Sequence, residues 1–144
     1  MMTFVAQYLL LEDAYFFLNQ AKSLSDTPIA KRAKQRHLRA SVLFAWQSLE
    51  YLVKDVLKTV PNTTWPGKFS ARLELALKLR GSAVLFDALA YSRFYQLRND
   101  VIHVNTGATQ PTLLDAEALF TYCKSLHLEL IGKGRELRIA AHPF

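Results

Sequence analysis

The residues best suited to chemistry form one short segment, Arg98-Asn99-Asp100-Val101-Ile102-His103. An imidazole titrates near neutral pH, so His103 can take up or release a proton. The Arg98 guanidinium can bind two phosphate oxygens and stabilise added negative charge. Asn99 lies four residues before His103 on the same helix face, where it can orient the histidine or the substrate. The three side chains together suit acid–base chemistry on a phosphodiester.

Arg98 and His103 are five residues apart, which is about 140° around an ideal helix. The arginine side chain is long enough to reach round, and the helix is expected to loosen near Asn105-Thr106-Gly107. We therefore expect Arg98, Asn99 and His103 to converge on one cleft. A structural alternative stays open: Arg98 pairs with Asp100 or Asp87, and His103 caps the helix C-terminus, where a cation is favourable.

Basic residues are concentrated at the start of the second predicted helix, where they are Lys31, Arg32, Lys34, Arg36 and Arg39. Cations near a helix N-terminus are slightly unfavourable because of the helix dipole. A phosphate backbone would account for their presence, so the segment is predicted to bind RNA. The net charge of +6 also favours a polyanionic partner. The other interpretation is a solvated face with a few ion pairs.

Hydrophobic periodicity predicts an all-α fold, an up-and-down bundle of about five helices in residues 1–131, followed by a basic C-terminal tail at 132–144. Apolar residues make up 51% of the chain, and Gly and Pro number only five each. The predicted helices cover 3–24, 28–60, 70–79, 83–104 and a fifth from Thr112 or Asp115 to about Ile131.

Boundary residues support these limits. Thr27 is the predicted N-cap of the second helix, and Pro28 suits its first position. Gly81 is predicted to end the third helix and Ser82 to cap the fourth.

The fourth predicted helix carries two apolar stripes. One stripe contains Leu85, Ala88, Leu89, Ser92, Tyr95 and Ile102, and the other contains Phe86, Ala90, Phe94, Leu97, Val101 and Val104. A helix with one solvent-exposed side needs only one apolar stripe. Two stripes indicate burial on both sides, either as a central helix of the bundle or against a second subunit.

Several other classes of protein are disfavoured. The single cysteine, Cys123, has no disulfide partner within the chain and lies among apolar neighbours, which is typical of a core position. The apolar stretch 4–18 is interrupted by Glu12 and Asp13 and is too short to span a bilayer, and no secretory signal is present. A cytoplasmic location is expected. No nucleotide-binding or hydrolase motif and no acidic cluster is found, so no metal or cofactor is expected.

The chain resembles HEPN domains, which are helical bundles with an Arg–polar–x(3–5)–His motif near the end of a late helix. The resemblance covers roughly 28–131 as a helix pattern and three residues as a motif. Arg32 and His37 share the spacing, as do Arg135 and His142, but only Arg98 is followed by Asn on a late helix before a Gly-ended turn.

The resemblance implies a dimeric, metal-independent endoribonuclease, often a toxin or defence component with an antitoxin protein as partner. It implies that Arg98 and His103 are the catalytic pair and Asn99 the accompanying polar residue, and Glu50 matches a polar residue often found midway along helix two. In one subgroup a tyrosine that a partner enzyme modifies lies two residues after the histidine. Asn105 occupies that position here, which argues against regulation by that route.

The predicted function is therefore RNA cleavage by attack of the ribose 2′-OH. The main alternative is a non-catalytic HEPN-like helical module that binds a nucleotide or a protein partner. A purely structural interaction domain is a third interpretation.

Overall fold

A computed structural model of the chain describes residues 5–82, 86–103 and 110–131. These residues form five helices, namely α1 (Val5–Lys22), α2 (Pro28–Leu57), α3 (Phe69–Leu79), α4 (Ala88–Ile102) and α5 (Leu113–Ile131), with a 3-10 turn, η1 (Asn62–Thr64), between α2 and α3. The predicted all-α bundle of five helices is confirmed. The predicted tail at 132–144 lies outside the described residues. None of these five helices is both long and apolar enough to cross a membrane.

The longest helix, α2, is the centre of the bundle and contacts each of the other four helices. It begins as predicted: Pro28 is its first residue, and the Thr27 side chain accepts a hydrogen bond of 3.4 Å from the Ala30 N–H. Hydrophobic periodicity predicts seven inner residues for this helix, and the first six are buried, namely Leu38, Val42, Ala45, Leu49, Leu52 and Val56. The seventh, Val60, lies beyond the end of α2 and is half-buried.

The start of α4 differs from the prediction. Gly81, with φ of +61°, ends the α3 segment as expected, and the Ser82 N–H donates to the Leu77 carbonyl at 3.1 Å. Ser82 does not cap α4, because that helix begins six residues later at Ala88, and the Ser82 hydroxyl donates to Glu129 at 2.8 Å. The N-cap is instead Asp87, whose side chain accepts from the Ala90 N–H at 3.0 Å.

The interpretation of α4 as a central helix is wrong. One face packs into the bundle through Phe94 and Val101, which are 5% and 4% exposed. On the other side of α4 Leu89 is 85% and Ile102 44% exposed. The long α2 fills the centre, so α4 has only one face to bury within a single chain. Burial of its other face against a second subunit stays a prediction.

Thr112 and Asp115, the two predicted starting residues of the fifth helix, both take part in the N-terminal cap of α5. The Asp115 N–H donates to the Thr112 hydroxyl, and the Thr112 N–H donates to the Asp115 carboxylate, each at 3.1 Å. This reciprocal pair is a capping box with Asp in the third position. Further along α5, Cys123 is fully buried, as expected of a core residue, and burial raises the pKa of its thiol.

Candidate active site

Arg98 is half-buried near the C-terminal end of α4, and its own helix holds its side chain. The Arg98 Nη1 donates to the Asn99 Oδ1 at 2.9 Å. The guanidinium also lies 5.9 Å from the ring centroid of Tyr95, within the range of a cation–π contact. Two neighbours thus restrict the orientation of the cation before any substrate arrives.

A carboxylate of α2, that of Glu50, lies within electrostatic range of this cation. Burial raises the pKa of Glu50 above its ordinary value of 4.5, while the charge of Arg98 and a hydrogen bond from the Trp46 side chain lower it. Glu50 and Arg98 therefore interact electrostatically across the α2–α4 contact. Only the family resemblance had singled out Glu50, since its spacing along the chain carries no sign of this pairing.

Aromatic rings hold α4 against α2 beside this pair. The Trp46 ring centroid lies 5.7 Å from that of Tyr91 and 6.0 Å from that of Tyr95, and the two tyrosines stack at 5.6 Å. Burial, followed by the nearby Tyr95 and Glu50, raises the pKa of Tyr91 to about 12. Tyr91 is therefore protonated at neutral pH. Sequence reasoning missed this cluster, although the four-residue spacing of Tyr91 and Tyr95 places them on one helix face.

His103 is the C-cap residue of α4, and its side chain is exposed. Its backbone N–H donates to the Asn99 carbonyl at 2.9 Å. The structure thus joins the side chains of Arg98 and Asn99, whereas the bond from His103 to Asn99 is between backbone groups and does not fix the position of the imidazole. The segment 105–107, which was expected to loosen and bring His103 round, lies outside the described residues.

The structural alternative for these residues holds only in part. The Asp100 carboxylate accepts from the Gln96 side chain at 2.9 Å, and Asp87 caps the start of α4. Both carboxylates therefore have partners other than Arg98. The C-cap position of His103 does agree with that alternative.

Four of the five predicted RNA-binding cations line one groove. The groove has a volume of about 580 Å³ and is bordered by Pro28, Lys31, Arg32, Gln35, Arg36 and Arg39. The fifth cation, Lys34, forms an ion pair with Asp26 at 3.4 Å instead. Such a row of cations can follow a phosphate backbone.

One cation of this groove contacts the residues that precede α5. Arg39 donates to the Gln110 side chain at 3.0 Å, and Gln110 follows α4 in the chain. Arg39 also precedes Glu50 by 11 residues, or about 16 Å along a helix axis. A single-stranded polyanion of a few nucleotides can span this distance.

The arrangement offers an exposed imidazole, a pre-oriented guanidinium and a nearby row of cations. Within residues 5–82, 86–103 and 110–131, no three His, Cys, Asp or Glu side chains are placed to hold a metal ion. No protein-family model, curated protein or solved structure matches this chain.

Proposed function

We propose that this protein is a metal-independent endoribonuclease of the HEPN type that acts as a homodimer. One observation carries the proposal: Arg98 is held by Asn99 and Tyr95 near the end of α4, where the exposed His103 follows. A guanidinium with a fixed orientation and an accessible imidazole near the end of one helix can supply charge stabilisation and proton transfer. The groove lined by Lys31, Arg32, Arg36 and Arg39 supports RNA as the substrate.

In the proposed reaction His103 removes the proton of a ribose 2′-OH. The 2′-oxygen attacks the adjacent phosphorus, and the bond from phosphorus to the 5′-oxygen breaks. Arg98 stabilises the charge of the phosphorane-like transition state, and Asn99 orients Arg98 through their hydrogen bond. The 5′-oxygen leaves with the bonding electrons and takes a proton from water. The products are a 2′,3′-cyclic phosphate and a 5′-OH, because the nucleophile belongs to the RNA.

The exposed face of α4 supports the homodimer. Leu89 and Ile102 leave apolar side chains exposed on the helix that carries the candidate catalytic residues. A twofold axis next to α4 would cover them and bring two copies of the site to one surface. A dimer of this kind also fits a toxin or defence component with an antitoxin partner.

Cleavage of RNA in the presence of EDTA tests the proposal. The wild-type protein is expected to cut single-stranded RNA and leave 2′,3′-cyclic phosphate ends, whereas His103→Ala is expected to lose roughly 10²–10⁴-fold in rate because it removes the general base. His37→Ala serves as the control, since His37 stacks on Phe17 and lies neither at the end of α4 nor in the lining of the basic groove. Equal residual cleavage by both variants would show that the activity comes from a contaminant.

Salt dependence tests the role of the basic groove. Removing Arg32 and Arg36 together is expected to lower the slope of log Kd against log salt concentration by about 1.4, because each phosphate contact to a single strand contributes about 0.7. The matched control removes Lys58 and Lys78, exposed cations that pair with Asp55 and Glu74 of their own helices. An equal change of slope in both double variants would mean that only net charge matters.

A non-catalytic binding module is the second candidate function. The electrostatic attraction between Arg98 and Glu50 favours it, because a cation that is already near a carboxylate is less available to a phosphate. This candidate predicts that RNA or a nucleotide binds without being cut. It also predicts that His103→Ala has the same affinity as the wild type and the same lack of cleavage.

A further inference from the structure

A second cavity, of about 300 Å³, lies between α2, η1 and α3. Its polar and aromatic lining is formed by Glu50, Tyr51, Lys54, Trp65, Phe69 and Arg72. Glu50 belongs to both places, because it lines this cavity and also faces Arg98. The volume is at the lower end for small-molecule sites, which suits a single nucleotide better than a longer ligand.

The walls of this cavity are fixed by hydrogen bonds to the backbone. The Trp65 Nε1 donates to the Leu57 carbonyl at 3.0 Å, which ties the indole to the end of α2. The Arg72 Nε donates to the Pro66 carbonyl at 2.6 Å, and its guanidinium lies 5.7 Å from the Trp65 ring centroid. The terminal nitrogens of Arg72 carry its remaining donors. A ligand that enters therefore meets a largely preformed site.

The charges of the lining restrict what the cavity can bind. An aromatic cage with one carboxylate would suit a quaternary ammonium ion. Here the single carboxylate of Glu50 is accompanied by the cations Lys54 and Arg72, which repel such a ligand. The lining fits a molecule that has a flat ring, an edge of hydrogen-bond donors and a separate negative group. A nucleotide has all three features.

The carboxylate also discriminates between bases. An ionised carboxylate only accepts hydrogen bonds, so it pairs best with an edge that carries two adjacent donors. Among the four RNA bases, only guanine offers two adjacent N–H donors on its Watson–Crick edge. Adenine, cytosine and uracil each place an acceptor next to a donor, and that acceptor would face the carboxylate.

We propose that the cavity between α2, η1 and α3 binds a guanine nucleotide. The base lies against Trp65 and Phe69, its N1–H and 2-amino group donate to Glu50, and its phosphate meets Lys54 and Arg72. Stacking on aromatic rings and reading of the Watson–Crick edge are the usual means by which proteins select an unpaired base. The site deepens the proposed nuclease function by naming a preferred base, but mononucleotide binding does not depend on cleavage.

Calorimetric titration of the full chain with GMP, AMP, CMP and UMP tests this site. GMP is expected to bind roughly 10- to 100-fold more tightly than the others, because two hydrogen bonds to a charged group distinguish it. Glu50→Gln is expected to abolish the preference, since a glutamine amide presents one acceptor and one donor group. The variant is expected to fold, because it removes a half-buried charge and keeps the side-chain size.

Glu74→Gln is the matched control, since Glu74 is an exposed carboxylate on α3 that pairs with Lys78 outside the cavity. It is expected to keep the preference for GMP. His103→Ala is also expected to bind GMP like the wild type. A loss of guanine recognition can therefore be distinguished from a loss of cleavage. Equal affinity for all four nucleotides, no binding of any of them, or tighter binding of choline than of GMP would each overturn the proposal.

Discussion

Arg98→Ala is expected to lower the rate of RNA cleavage by roughly 10²–10³-fold, the usual cost of removing one preorganised group that stabilises transition-state charge. The guanidinium lies against Asn99 and Tyr95, so it is oriented before the substrate binds. Arg98→Lys keeps the charge but loses the planar fork that contacts two phosphate oxygens. We therefore expect its rate to lie between those of Arg98→Ala and the wild type.

Arg93→Ala is the matched control for this measurement. Arg93 is an exposed arginine of the same helix, and its guanidinium lies 4.9 Å from the ring centroid of Phe94. The control removes the same charge from α4 without touching the candidate site. Single-turnover cleavage of a labelled RNA, together with the melting temperature of each variant, separates a catalytic effect from unfolding. Equal cleavage rates for Arg93→Ala and Arg98→Ala would show that Arg98 has no specific role in the reaction.

A buried histidine is expected to make the fold sensitive to mild acid. His127 on α5 is fully buried, and its Nε2 lies 3.1 Å from the Ser48 hydroxyl oxygen. Because that hydroxyl donates to the Ala45 carbonyl at 2.6 Å, it accepts from His127, which places the imidazole proton on Nε2. Burial lowers the pKa of His127 to about 3. The histidine is therefore neutral in the folded protein at physiological pH.

The sign of the pH effect follows from this lowered pKa. Between the ordinary value of 6.5 and the folded value of about 3, the unfolded chain binds the proton and the folded chain does not. With respect to this group, the free energy of unfolding is highest above pH 6.5. It decreases as the pH falls below that value. We expect His127 to lower the free energy of unfolding by about 2 kcal/mol between pH 7 and pH 5.

His127→Gln tests this expectation, because its amide keeps a donor for Ser48 but does not titrate. Urea unfolding of this variant is expected to show a smaller loss of stability between pH 7 and pH 5 than the wild type. His37→Gln is the control: His37 is half-buried against Phe17, with ring centroids 5.7 Å apart, and its loss should leave the pH dependence in place. Parallel curves for the wild type and His127→Gln would contradict the assignment.

The number of helices and several of their ends were predictable from local chemistry. A cap depends on residues within one turn of each other, as at Thr27, at Gly81 and in the Thr112–Asp115 pair. Periodicity likewise placed the buried stripe of α2, because one face of a helix must be apolar to pack. Ser82 was misassigned because α4 begins six residues later, where the Asp87 side chain accepts from the Ala90 N–H.

Which helix faces meet was not predictable, because it depends on how all five apolar faces fit together in three dimensions. Periodicity shows that α2 and α4 each have a face to bury, but not that Glu50 lies opposite Arg98 or that α4 stays at the edge of the bundle. The cavity beside Trp65 and the complete burial of His127 were not predictable for the same reason. Helix ends arise from hydrogen bonds between near neighbours in the chain, whereas sites arise from contacts between residues that are far apart in it.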